Sequence, residues 1–133
     1  MCAIPAGHRL AERRTIRPAD LDRERFIALS PEDTVRRRLN QVLEAAGVRP
    51  TVVVETPNSA TVTALVQRGI GVGLTNPFAN DAATRGVVFR PFQADVHFRT
   101  LLIFRPDTQK SRLVKELVAS LIAARNTRPG EPV

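Results

Sequence analysis

The sequence predicts an α/β fold in which short strands and amphipathic helices alternate along the chain. Three observations carry this. Short apolar runs rich in β-branched residues recur at 26–29, 52–54 and 70–75. Apolar residues at helical spacing fill the segments between them. Gly47 and Gly69 stand where the first two helices must stop.

The elements follow in order. Residues 2–4 make a short strand. Residues 8–22 form a polar connection with one helical turn at 18–21. Residues 26–29 are apolar throughout and bounded by turn residues, the pattern of a buried strand. Ser30-Pro31-Glu32-Asp33 then opens a helix. Ser30 caps, Pro31 suits the first helical position, and the acids face the positive end of the dipole. Val35, Leu39, Val42, Leu43 and Ala46 make its apolar stripe.

Residues 52–54 are the next strand. Pro57 ends it, because proline lacks the N–H a ladder needs. Asn58 or Ser59 caps a second helix by accepting from an orphan N–H. Val62, Leu65 and Val66 share one face of that helix, and residues 70–75 return as strand. This is one β-α-β unit, and such units place small-molecule sites at the carboxyl ends of their strands. Those ends are Glu55-Thr56 and Thr75-Asn76-Pro77. Beyond them, 77–84 reads as a loop and 87–92 as a strand held to an edge by Pro91. Residues 98–104 read as a strand apolar on both faces, which needs cover on both. Leu113, Val114, Leu117, Leu121 and Ile122 form a last amphipathic helix. The tail from Asn126, with Pro129, Gly130 and Pro132, is loose.

A chain of 133 residues suits one domain that buries about two thirds of its unfolded surface. Trp and Tyr are absent, so the core is aliphatic with a few Phe. No apolar run approaches the ~20 residues that span a bilayer, and the N-terminus lacks the pattern of a signal peptide. Cys2 is the single cysteine, which excludes an internal disulfide and a cysteine metal cluster. These features fit a soluble cytoplasmic protein with no membrane partner, no metal and no cofactor.

The net charge of +7 invites a nucleic-acid reading. The arginines are scattered, however, and Arg36-Arg37-Arg38 fan over a wide arc of a helix. No aromatic residues interleave with them as a stacking platform requires, and no helix-turn-helix pattern is present. A solvated basic face is the better account. Bound to duplex DNA, such a chain makes only weak, sequence-independent phosphate contacts.

Gly69-x-Gly71-x-Gly73 suggests a dinucleotide fingerprint, but the order is wrong. That motif leaves a strand and opens a helix, whereas these glycines leave a helix and enter a strand. Close backbone packing explains them better. Cys2 with His8 is no zinc spacing, and no Gly-x-Ser-x-Gly elbow occurs. Glu32, Asp33 and Glu55 serve more simply as first-turn and strand-end acids than as a catalytic pair. The chain shows no catalytic constellation and reads as a non-enzyme.

The helix start at Ser30 has two readings. Capping needs no ligand. A helix N-terminus also binds anions, and Ser30 with Thr34 one turn on could hold a carboxylate. Glu32 and Asp33 oppose a simple anion and suit a ligand that also carries an amine.

The segment 53–78 resembles the effector-binding region of LysR-type transcriptional regulators. Their pattern is a strand ending in Glu-Thr, a helix ending in Leu-Val-x-x-Gly-Ile-Gly-Val, and a strand closing on Pro. Ala3-Ile4-Pro5-Ala6-Gly7-His8-Arg9-Leu10 matches too, with Arg9 where the family usually has Pro. Ala19-Asp20-Leu21 and Arg25-Phe26-Ile27-Ala28-Leu29 follow in family order. The resemblance covers roughly residues 2–125, and order and spacing carry it rather than any one motif. Asn76-Pro77 resembles the branch that answers to opines and basic amino acids.

The resemblance implies a periplasmic-binding-protein-like (type 2) lobe with the first lobe largely missing. Residues 2–93 would be the second lobe of the effector domain, 94–126 the strand and helix returning to the first lobe, and 127–133 a loose tail. It implies a co-inducer-binding part lacking its helix-turn-helix domain, with an amino-acid or opine-like effector. It also implies a homo-oligomer, dimer or tetramer, and DNA contact through a domain absent from this chain. The effector site would take Ser30, Pro31, Thr34, Thr56, Ser59, Thr75, Asn76 and Pro77. The second reading is a standalone small-molecule-binding or oligomerisation module.

Overall fold

A computed structural model describes residues 1–76, 84–97, 101–105 and 111–126. The chain divides into two compact units, Met1–Phe98 and Arg99–Val133. The first unit holds a five-stranded mixed sheet in the order β3-β2-β4-β1-β5. Its strands are β1 (Cys2–Pro5), β2 (Arg25–Leu29), β3 (Thr51–Thr56), β4 (Val72–Leu74) and β5 (Val87–Arg90). Helix α1 (Thr34–Ala45) joins β2 to β3, and α2 (Ser59–Gln67) joins β3 to β4. Strands β3 and β4 run parallel to β2 on either side of it. Strand β1 is antiparallel to both β4 and β5.

Side-chain alternation builds two cores. Cys2, Ile4, Phe26, Ala28, Val72 and Leu74 pack on one face with Leu39 and Leu43 of α1. Ala3, Ile27 and Leu29 pack on the other with Val62 and Val66 of α2. The continuous apolar run of β2 is thus explained by cover on both faces. The glycine series keeps backbones close, as its helix-to-strand order suggests. A Cβ on Gly73 would lie 2.5 Å from Val62 Cγ1 and 2.7 Å from the Ile27 carbonyl oxygen. One on Gly71 would meet the Arg25 carbonyl oxygen. Gly47 and Gly69 have φ of 67° and 73°, which close the helices before them.

Three expectations need correction. Helix α1 starts at Thr34, and Asp33 rather than Ser30 caps it, accepting from Val35 N–H at 2.7 Å and Arg36 N–H at 3.2 Å. Ser30 instead opens a turn, its carbonyl accepting from Asp33 N–H at 3.0 Å. A carboxylate three positions on is a stronger acceptor than a hydroxyl, so it sets the boundary. The connection 8–22 is less polar in use than in composition. It makes 3₁₀ turns at Arg9–Glu12 and Pro18–Leu21, and Leu10, Ile16 and Leu21 are wholly buried. Finally, residues 101–105 form no strand, while residues 98–100 of that expected strand and 77–83 of the expected loop 77–84 lie outside the described residues. A strand exists only where a neighbour supplies its hydrogen bonds, and 101–105 have no ladder partner among the described residues.

In the second unit α3 (Arg112–Asn126) carries Leu113, Leu117, Leu121 and Ile122 exposed. Phe104, Val114, Val118 and Ile122 line one shallow apolar hollow. No described helix is long and apolar enough to cross a membrane.

Candidate functional site

Because β2, β3 and β4 are parallel, their carboxyl ends share one edge of the sheet. Ser30 N–H donates to the Thr56 carbonyl at 3.0 Å, joining the ends of β2 and β3. Asn76 N–H donates to Ser59 Oγ at 3.0 Å, joining the end of β4 to the start of α2. Asn58 Oδ1 accepts from Thr61 N–H at 2.8 Å and caps α2. The edge therefore gathers Ser30, Thr56, Ser59, Thr75 and Asn76 beside the N-termini of two helices. Pro31 and Thr34 are exposed in the turn and at the first position of α1. Pro77 lies outside the described residues.

Thr75 is the anomaly of this edge. It is wholly buried, and its backbone pairs with Met1, whose carbonyl accepts from Thr75 N–H at 2.9 Å. Its hydroxyl is buried and has no hydrogen-bond partner among the described residues. Buried polar groups are paired in the large majority of cases, so an unpaired one calls for an explanation. Thr63, also buried, is ordinary by contrast, since its hydroxyl donates to the Ser59 carbonyl at 3.1 Å.

Arg36 belongs to this edge and was hidden in the sequence by its two arginine neighbours. Its guanidinium donates to the Leu29 carbonyl at 2.8 Å, to Glu55 Oε1 at 3.1 Å and to Asn40 Oδ1 at 2.9 Å. Its side chain is only 11 % exposed. It fixes the last carbonyl of β2, one residue before Ser30, and holds a carboxylate at the end of β3. The spacing to Asn40, one helical turn away, was the only signal of it. Arg38 goes elsewhere, pairing with Asp95 and donating to its backbone carbonyl at 2.9 Å. The hydrogen bond and charge of Arg38, with His97 adding to them, hold the Asp95 carboxyl below the usual carboxylate range.

The edge offers hydroxyls, two helix N-termini and the acids Glu32, Asp33 and Glu55. Those groups recognise polar ligands by hydrogen bonds and charge. They include no nucleophile paired with a base. His8 is occupied elsewhere: its Nδ1 accepts from Leu10 N–H at 3.3 Å and its Nε2 faces Glu24 at 3.3 Å. Cys2 is unreactive, its thiol pushed up to about 12 by burial in the core.

The comparisons with known proteins bear on the family and the fold. The family model described as LysR substrate binding domain matches residues 1–125. The chain is 32 % identical over 134 residues to the regulatory protein NocR of Agrobacterium tumefaciens, covering 100 % of this chain and 45 % of that protein. It is 36 % identical over 124 residues to the transcriptional activator protein LysR of Escherichia coli, covering 92 % of this chain and 40 % of that one. It thus spans less than half the length of either relative. Among solved structures, the reduced form of OxyR superposes with a TM-score of 0.63 at 26 % identity, covering 98 % of this chain and 61 % of that one. The fold is that of a type 2 periplasmic-binding-protein-like domain, and these relatives are named as regulators rather than enzymes. On the match over residues 1–125 and the parallel-strand edge it contains, the chain belongs to the LysR substrate binding domain family.

Proposed function

We propose that this chain is the co-inducer-sensing part of a LysR-type transcriptional regulator, and that its ligand is a small zwitterion of the amino-acid or opine class. In this reading 2–93 form one lobe of the sensing domain and 94–126 return to the other. The ligand meets the carboxyl edge of the sheet, where Ser30, Thr34, Thr56, Ser59, Thr75 and Asn76 contribute hydroxyl, amide and backbone groups. The single observation that carries the reading is the buried hydroxyl of Thr75 at that edge, which has no hydrogen-bond partner among the described residues. The acids beside it support an amine on the ligand, and the N-terminus of α2 supports a carboxylate. The names of the relatives support a role in regulation. In this reading the regulator is a dimer or tetramer whose DNA-reading domain lies elsewhere.

The test is a titration of the ¹⁵N-labelled chain with arginine, ornithine and opines. One lobe gives half a cleft, so binding near about 1 mM is expected, equivalent to about 4 kcal/mol. The expected shifts fall on the amides of Ser30, Thr34, Thr56, Ser59, Thr75 and Asn76. Shifts confined to other segments, or none with any ligand of this class, would overturn the assignment.

A further inference from the structure

The opposite edge of the sheet carries a second feature. There the parallel strands begin, and four arginines converge from three short connections. Arg23 and Arg25 open β2, Arg49 precedes β3, and Arg68 ends α2 before β4. Hydrogen bonds to main-chain carbonyls tie the three connections together. Arg23 N–H donates to the Arg49 carbonyl at 3.1 Å, and Arg25 Nε donates to the Ile70 carbonyl at 3.0 Å. All four are exposed. Among the described residues one ion pair reaches them, a 3.7 Å contact between Arg23 and its neighbour Asp22. Glu24, the other acid of this connection, is taken by His8 and Arg9.

Two of these arginines have a bland explanation. Cations near helix C-termini are favourable, and Arg49 and Arg68 follow α1 and α2. Arg23 does not fit it. It follows the short 3₁₀ turn Pro18–Leu21 and is the one left-handed non-glycine residue among the described residues, φ 58°, in a turn closed by Glu24 N–H donating to the Leu21 carbonyl at 3.1 Å. Glycine takes that conformation freely, whereas a side chain there is strained. The Arg23 side chain is 91 % exposed.

We infer that this amino edge is a contact surface for the phosphate backbone of duplex DNA, lying away from the ligand edge. The choice of partner rests on the reading of the chain as part of a DNA-bound regulator. Charge geometry favours it as well. A protein partner needs a desolvated apolar centre, and interface centres are depleted of charge. Ile70 among the four arginines is half-buried, and the open hollow beside Arg49 mixes Leu43, Val48, Pro50 and Val52 with the polar Asn40 and Glu44 rather than forming a dry apolar centre. Phosphates need only guanidinium groups in register and give sequence-independent affinity.

The experiment is fluorescence anisotropy of the full chain with a random-sequence duplex across salt concentrations. It compares R23G/R49Q/R68Q with R14Q/R17Q/R37Q, which removes equal charge from exposed arginines elsewhere. Circular dichroism checks that both fold. The first triple variant should lower the magnitude of the log–log salt slope by about 2 to 3, close to 0.9 per lost contact. The second should lower it by less than about 1. Equal losses in the two would show diffuse charge rather than a surface and overturn the inference. So would a polyglutamate peptide that binds more tightly than the duplex and is lost only in the first variant, since that marks an acidic protein partner. Either failure leaves the ligand titration untouched, so the two readings fall separately.

Discussion

Thr75 sits in the core with a hydroxyl that nothing among the described residues answers. An unpaired buried hydroxyl costs stability, and an isosteric methyl removes the cost. Thr75→Val should therefore raise the unfolding free energy by about 1 kcal/mol, read from urea denaturation. The same variant should lose the ligand-induced amide shifts. A destabilised variant would mean that the hydroxyl already has a partner. The sequence pointed to Thr75 only through its place after a strand. Nothing in the order of residues told that its hydroxyl is alone, because that depends on how three strands close around it. Arg36 was illegible for the related reason that its role comes from the ends of β2 and β3, seven and nineteen positions away.

Helix boundaries show where local rules decide and where they compete. Asn58 was one of two candidate caps, and it is the cap of α2. At α1 two capping residues three positions apart competed, and Asp33 prevailed. Asp33→Ala should cost about 1 kcal/mol in urea denaturation, within the usual range for a lost cap. Ser30→Ala should cost less than about 0.5 kcal/mol, as for a surface site away from a cap. The reverse ranking would restore Ser30 as the helix start. Patterns within the β-α-β unit were legible because glycine, proline and the apolar period all agreed there. The segment 101–105 was not, because an apolar run encodes the wish for cover and not the presence of a ladder. Leu10, Ile16 and Leu21 escaped notice since single apolar residues among polar ones make no period.

Both ends of the sheet carry mixed charge. Glu32, Asp33 and Glu55 stand with Arg36 at the edge where the parallel strands end, and four arginines outnumber Asp22 and Glu24 where they begin. The second unit presents Leu113, Leu117, Leu121 and Ile122 on α3 without cover. An apolar helix stripe of that kind marks an interface. Sedimentation velocity of the chain should show association that grows with concentration, and L117E/L121E should return it to monomer. A sharp wild-type monomer across the range would show that the stripe is simply solvated. The strand order has a consequence in time as well as in space. Strand β1 is made before β4 and β5, yet it lies between them, and its Cys2, Ala3 and Ile4 are wholly buried there. Its partners at Gly73 and Val88 are synthesised some seventy or more residues later. At ribosomal speeds of roughly 5–20 residues per second, β1 waits seconds with both edges unpaired. Closing the sheet is thus a late, long-range event, with the high contact order that slows folding. Of the five strands, the one made earliest is among the last to find its place.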